Sequence, residues 1–176
     1  MPACPLCEGA GGELLHQAQA WRLVLADEPE WPGLLRLIWT EHVVELSDLT
    51  EPQALELLQV LRRVERVLRD ELSPDKVNVA SLGNQVPHLH VHIVPRWRDD
   101  LTFPASIWTR PEPAAQAHGP LNAQTNTHAN IQTNPPSNRQ TNTQSRADAA
   151  AARRQSTVER LPALRRALVE SLRFSH

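Results

Sequence analysis

The sequence has no excess of either charge, no long apolar run and almost no cysteine, and each absence removes a class of protein. Its 20 acidic residues against 18 basic ones leave a formal charge of -2. That balance supplies no broad positive field for a nucleic-acid backbone, so no nucleic-acid partner is expected, although a local cluster could still hold a small anion. No segment approaches the roughly 18 uninterrupted apolar residues of a membrane span, and the N-terminus lacks a basic start followed by an apolar stretch. A cytoplasmic protein without a membrane partner is therefore expected. The 2 cysteines stand together in Cys4-Pro5-Leu6-Cys7. In a reducing compartment this spacing reads as a metal knuckle or a pair of reduced thiols rather than a lasting disulfide.

What is present is enough for one ordinary domain: 176 residues can bury a real core. Residues 13–39 alternate short apolar runs with turn chemistry. Leu14-Leu15, then Trp21 to Leu25, then Leu34 to Trp39 read as three strands, separated in part by Asp27-Glu28-Pro29 and Pro32-Gly33. Thr50 and Pro52 mark a helix start, and Leu57, Leu61, Val64 and Leu68 recur at helical spacing as far as residue 72. Ser73-Pro74-Asp75 ends that helix. Val77 to Leu82 and Leu89 to Val94 then read as two more strands joined around Gly83-Asn84. The expected fold is α+β, with a mainly antiparallel five-stranded sheet, one long helix and a C-terminal helix. The links among the first three strands and between the last two are too short for crossovers.

The composition changes after residue 110, so residues 1–110 are expected to form the domain proper. Gln-Thr-Asn recurs at 124, 132 and 140, a repeat of eight residues with few apolar side chains. Such a segment cannot offset a backbone ordering cost of roughly 1 to 2 kcal/mol per residue. Residues 111–148 are therefore expected to be a disordered linker. Leu161, Leu164, Leu168 and Leu172 then restore helical spacing, with Pro162 suited to a first turn. Residues 149–176 are expected to form an amphipathic helix that packs on the domain or on a partner subunit.

Chemistry concentrates in His88-Leu89-His90-Val91-His92. In an extended strand these histidines project from one face about 6.6 Å apart, while Leu89, Val91 and Ile93 face the core. Three imidazoles are costly to bury, and the residues alone leave three readings open: histidines each satisfied structurally, a three-histidine metal site, or a division of labour. In the last, one ring is a nucleophile toward phosphorus, one a donor to the phosphate and one structural. Separately, Cys4 and Cys7 can give two thiolates to a tetrahedral zinc that needs two further ligands.

The run His88 to Val94, with Cys4-Pro5-Leu6-Cys7, Glu41-His42-Val43, Leu46-Ser47-Asp48-Leu49, Asn78 and Gly83-Asn84-Gln85-Val86-Pro87 in order, resembles the histidine triad (HIT) superfamily of nucleotide hydrolases and transferases. Residues 4 to about 108 share the likeness, which is strongest to short bacterial members with segments like Pro74 to Asn78 and Phe103 to Trp108. The resemblance implies a HIT-like nucleotide hydrolase acting on a small-molecule nucleotide. His90 would attack the α-phosphorus of a dinucleoside polyphosphate or nucleoside phosphoramidate, forming a nucleotidyl-histidine intermediate resolved by water. His92 would contact the transferred phosphate, and Asn78, Gly83, Asn84 and Gln85 would hydrogen-bond its oxygens. Asp27 would grip the ribose hydroxyls.

Relatives with glutamine at the third triad position act mainly as transferases; His92 points to the hydrolase branches, with nucleotidyl transfer the lesser alternative. The resemblance further implies a structural zinc held by Cys4, Cys7, His42 and His88, and a homodimer. A non-enzymatic zinc-binding or nucleotide-sensing module is the competing class, and a DNA-end repair factor ranks below it because no basic stripe is present.

Overall fold

Five short strands pair into one antiparallel sheet in a computed structural model of the chain, which describes residues 3–109 and 139–173. The strands are β1 (Glu13–Gln17), β2 (Trp21–Leu25), β3 (Leu35–Trp39), β4 (Lys76–Ser81) and β5 (His90–Arg96), in the spatial order β1-β2-β3-β5-β4. All four pairings are antiparallel, so the expected α+β, five-stranded antiparallel architecture is what the chain adopts. The strand ends differ from the expected ones by a residue or two. The largest consequence is that His88 lies at a bend before β5 and outside it.

A one-turn helix α1 (Pro5–Glu8) carries the N-terminal knuckle, and the long helix α2 spans Glu51–Leu72. Its start follows the expected capping logic: Gln53 reaches back and its Oε1 accepts the Thr50 backbone N–H at 2.8 Å. It ends at Ser73, left-handed at φ 49°, whose N–H reaches the Arg69 carbonyl at 3.1 Å.

Helix α3 spans Arg139–Leu172 and packs along α2 and β1. It buries Leu164, Leu168 and Leu172 in the main core, so it packs on its own domain. Two features differ from the sequence expectation. The helix takes in residues 139–148, assigned above to the linker, and Pro162 lies inside it rather than in its first turn. An exposed proline removes a single backbone bond, and the leucines on either side of it stay packed against α2. The rest of the expected linker, residues 111–138, lies outside the described residues.

The strand registers sort side chains onto two faces, because residues directly opposite in an antiparallel pair project to the same side. Trp21, Leu23, Leu25, Leu35, Leu37, Trp39, Val91 and Ile93 face α2 and α3 and form the main core with Leu57, Val60, Val64 and Leu68. The other face carries Arg22, Arg36, Ile38, His90 and His92, aligned by the pairs Arg22↔Ile38, Ile38↔His90 and Arg36↔His92. No helix among the described residues is long and apolar enough to cross a membrane.

Candidate active site and metal centre

Helix α1 lies over the second face and brings the knuckle to the start of β5. The ligand atoms of Cys4, Cys7, His42 and His88 all fall within 4.8 Å of one another. His88 Nδ1 stands 3.4 Å from each cysteine sulfur and 3.3 Å from His42 Nδ1, and Cys7 Sγ is 3.2 Å from His42 Nδ1. Zinc bonds of roughly 2.0 to 2.3 Å in a tetrahedron demand ligand-to-ligand edges of this length. Two soft thiolates and two imidazoles are also the donor set that such an ion prefers, so the residues fit a four-coordinate metal.

His88 is fully buried, and its Nε2–H donates to the Trp39 carbonyl at 2.7 Å. That bond fixes the tautomer that leaves Nδ1 free for a metal. Burial also pushes its pKa below the ordinary histidine value, favouring the neutral ring that a ligand requires. Among the described residues this is the group assembled for a metal. His90 and His92 are not in it, so the fold does not build a three-histidine cluster.

His90 Nδ1–H donates to the His88 carbonyl at 2.6 Å. A neutral imidazole held this way has its proton on Nδ1 and its lone pair on Nε2. The backbone of a residue in the metal-type cluster therefore orients the middle histidine. His92 packs edge-on to His90 at 4.9 Å between ring centroids and to Trp108 at 5.1 Å. Its Nδ1 is buried with no protein partner. Burial, helped by the neighbouring His90 and Arg36 charges, pushes the His92 pKa down to about 4, so the ring is neutral near pH 7.

An open pocket lies against this pair, lined by His90, His92, Gly83, Asn84, Gln85, Glu28, Arg36 and Trp108. Gly83 turns at φ +61°, a conformation natural to glycine, which lets the link between β4 and β5 fold over the two histidines. Gly83, Asn84 and Gln85 line this pocket together with the two histidines.

Two expected residues do not line the pocket. Asp27 is exposed in a separate groove beside Gly33 and Arg165, while the next residue, Glu28, lines both that groove and the histidine pocket. In the tight turn after β2 the Glu28 N–H meets the Ala26 carbonyl at 3.0 Å, and of the two neighbours only Glu28 reaches the histidine pocket. Asn78 shares the sheet face with the histidines but stands opposite Val94, and its Oδ1 accepts from Arg96 Nη1 at 2.8 Å.

Arg96 was not singled out by sequence reasoning, yet it organises the far end of the site. Buried to 1% exposure, it donates to both Asp100 oxygens at 2.7 and 3.0 Å, to Thr102 at 3.2 Å and to the Ala105 carbonyl at 2.9 Å. It also lies over the rings of Trp31 and Phe103. This network folds back the segment after β5 that carries Trp108 to His92. Glu28, Arg36 and Trp108 were missed for a related reason: each is a lone residue in an apolar or turn context. The available signal was an arginine at an alternating position of an otherwise apolar strand, Leu35-Arg36-Leu37.

Comparison with known proteins agrees with this geometry. Over 81 residues the chain is 36% identical to "AP-4-A phosphorylase" of Mycobacterium tuberculosis, covering 43% of this chain and 42% of that protein. Over 61 residues it is 38% identical to "Bis(5'-adenosyl)-triphosphatase" of Saccharomyces cerevisiae, covering 32% and 30%. The matches thus span less than half the length of these curated relatives. A crystal structure of a histidine triad protein from Bradyrhizobium japonicum superposes with a TM-score of 0.52 at 31% identity, over 60% of this chain and 80% of that one. One from Marinobacter aquaeolei shares the fold at 21% identity, with a TM-score of 0.53 over 85% and 90%. The HIT domain profile matches residues 12–99, half of the chain, around a histidine triad seated between a metal-type cluster and a glycine turn; the protein belongs to the HIT family.

Proposed function

We propose that this protein is a nucleotide hydrolase that attacks the α-phosphorus of a dinucleoside polyphosphate or nucleoside phosphoramidate through His90. The observation that carries this reading is the 2.6 Å bond from His90 Nδ1 to the His88 carbonyl, which leaves Nε2 as the unprotonated nitrogen. In the first step Nε2 bonds to phosphorus, and the bond from phosphorus to the leaving group breaks, the leaving group departing with the electron pair. In the second, water attacks the same phosphorus, and the P–N bond breaks to return the imidazole and release a nucleoside monophosphate. The Gly83, Asn84 and Gln85 turn supplies neutral donors to the phosphate oxygens, and a neutral His92 contacts the transferred group without trapping a fixed charge. Asn78, whose Oδ1 is taken by Arg96, stands outside this pocket and is given no phosphate contact. Glu28, rather than Asp27, takes the ribose hydroxyls, because its carboxylate faces the pocket.

Cys4, Cys7, His42 and His88 would hold the metal, read here as zinc. With four protein donors such an ion is structural, leaving no open position for water. Its consequence for this chain's own residues is to fix His88, whose carbonyl sets His90. Reduced thiols go with a cytoplasmic location. A homodimer is part of the same reading: β4 is a sheet edge with Val79 exposed, and Leu55 and Leu58 project from α2.

The test is AMP release from both substrate classes by wild type and His90→Ala. The variant should lose turnover on the order of 10⁴-fold or more while keeping about one zinc per chain. Unchanged turnover would reject the mechanism. Loss of zinc, with nucleotide recovered intact from the wild type, would establish a binding module instead.

A further inference from the structure

Arg36 is out of place by composition. It stands on β3 among Leu35, Leu37, Ile38 and Trp39, all buried, and pairs directly with His92 across the ladder. Its side chain lines the pocket and is tethered twice. Nη1 donates to the Gly11 carbonyl at 3.0 Å, and Nη2 donates to Glu28 Oε1 at 3.0 Å. The first tether is firm, because Gly11 is locked at φ +81°, where an added Cβ would meet Ile38 at 2.7 Å and Leu6 at 2.9 Å. The guanidinium is thus held in a fixed plane beside the pocket.

Glu28 needs such a partner. Its side chain is 42% exposed at the rim, and a free glutamate there would sample several rotamers, all but one of them useless to a ligand. Arg36 occupies Oε1 and leaves Oε2 for an incoming donor. A carboxylate oxygen accepts from hydroxyls, and the paired arginine offsets the negative charge that would otherwise repel a phosphate nearby.

We infer that Arg36 is a positioning residue that, by holding Glu28, sets selectivity for ribonucleotides over nucleotides lacking ribose hydroxyls. This rests on the nucleotide reading above, but equilibrium binding tests it without turnover. Binding of AMP and of 2′,3′-dideoxy-AMP is titrated to the zinc-loaded protein. Wild type should prefer AMP by roughly tenfold or more, the scale of a hydrogen bond to a charged acceptor. In Arg36→Met that ratio should fall to near unity, with zinc content and thermal midpoint retained. Glu28→Gln, at the rim, should lower the ratio in the same direction, and Arg36→Lys should restore part of it.

A wild-type ratio near unity, or a ratio that survives Arg36→Met whatever happens to the absolute affinities, would overturn the inference while leaving the hydrolase reading intact. A uniform loss for both ligands in Arg36→Met would likewise reject it, placing Arg36 against the phosphate instead. Failure of the wild type to bind either ligand would reject the nucleotide reading along with it.

Discussion

The two faces of the sheet come from the same alternating strands and are stabilised by different physics. The helix-covered face is centred on an apolar core, in which Val64, Leu68, Leu164 and Leu168 of α2 and α3 close on Leu23, Leu35, Leu37 and Ile93. The other face carries arginines and histidines and, among the described residues, has no long helix over it. Short backbone segments cover it and are held by side chains that reach their carbonyls. Arg22 takes those of Leu6, Gly9 and Ala10, Arg36 that of Gly11, and Arg96 that of Ala105. The first face tolerates any well-packed hydrophobe of the right volume. The second depends on particular donors meeting particular acceptors, and it carries the pocket lined by His90 and His92.

The contrast can be broken most severely at Arg96. Asp100→Ala should destabilise the protein by about 3 to 5 kcal/mol, because it leaves a fully desolvated guanidinium without its carboxylate. Urea unfolding of the variant would measure this. A loss under 1 kcal/mol would mean that water replaces Asp100 and that the network is not what holds the segment after β5. On the apolar face, Leu68→Ala should cost about 3 kcal/mol through lost burial and a residual cavity. Its turnover per folded molecule should match the wild type, since the residue lies on the opposite side of the sheet from the histidines. A matching drop in turnover would show that the faces are coupled.

The smallest effect is set by pH. His92 carries a pKa of about 4 when folded, against 6.5 for an unperturbed ring, so the unfolded chain takes up a proton first as pH falls. The stability this provides is present above pH 6.5 and is lost on acidification toward pH 4, on the order of 2 kcal/mol in all. Protonation of the metal ligands acts in the same direction, so the informative quantity is the difference between wild type and His92→Asn. Urea midpoints at pH 7.5 and pH 5 should diverge for the wild type by more than for the variant. Equal divergence would show that His92 is not buried as neutral imidazole.

Much of this organisation was legible along the chain because it depends on neighbours in sequence. Period-two apolar runs marked the five strands, Thr50 with its leucine spacing marked α2, and His88-Leu89-His90-Val91-His92 announced the triad. The limits of local reading are equally specific. Pro162 reads as a first-turn residue, yet it sits inside α3 because packing of the flanking leucines outweighs one missing backbone bond. His88 reads as part of the strand, yet it bends out toward Cys4 and Cys7.

Periodicity and motif order were sufficient, by themselves, to determine the fold class and the family, because hydrophobic burial enforces alternation wherever a strand has a core face and the motifs are contiguous in sequence. Only the tertiary structure decided which carboxylate faces the pocket, that Arg96 claims Asn78, and that Arg36 spans from Gly11 to Glu28. Those facts depend on β3 lying beside β5 and on loops distant in sequence converging on one sheet face. A polar contact is directional and effective only over a few ångströms, so no spacing rule along the chain can specify it.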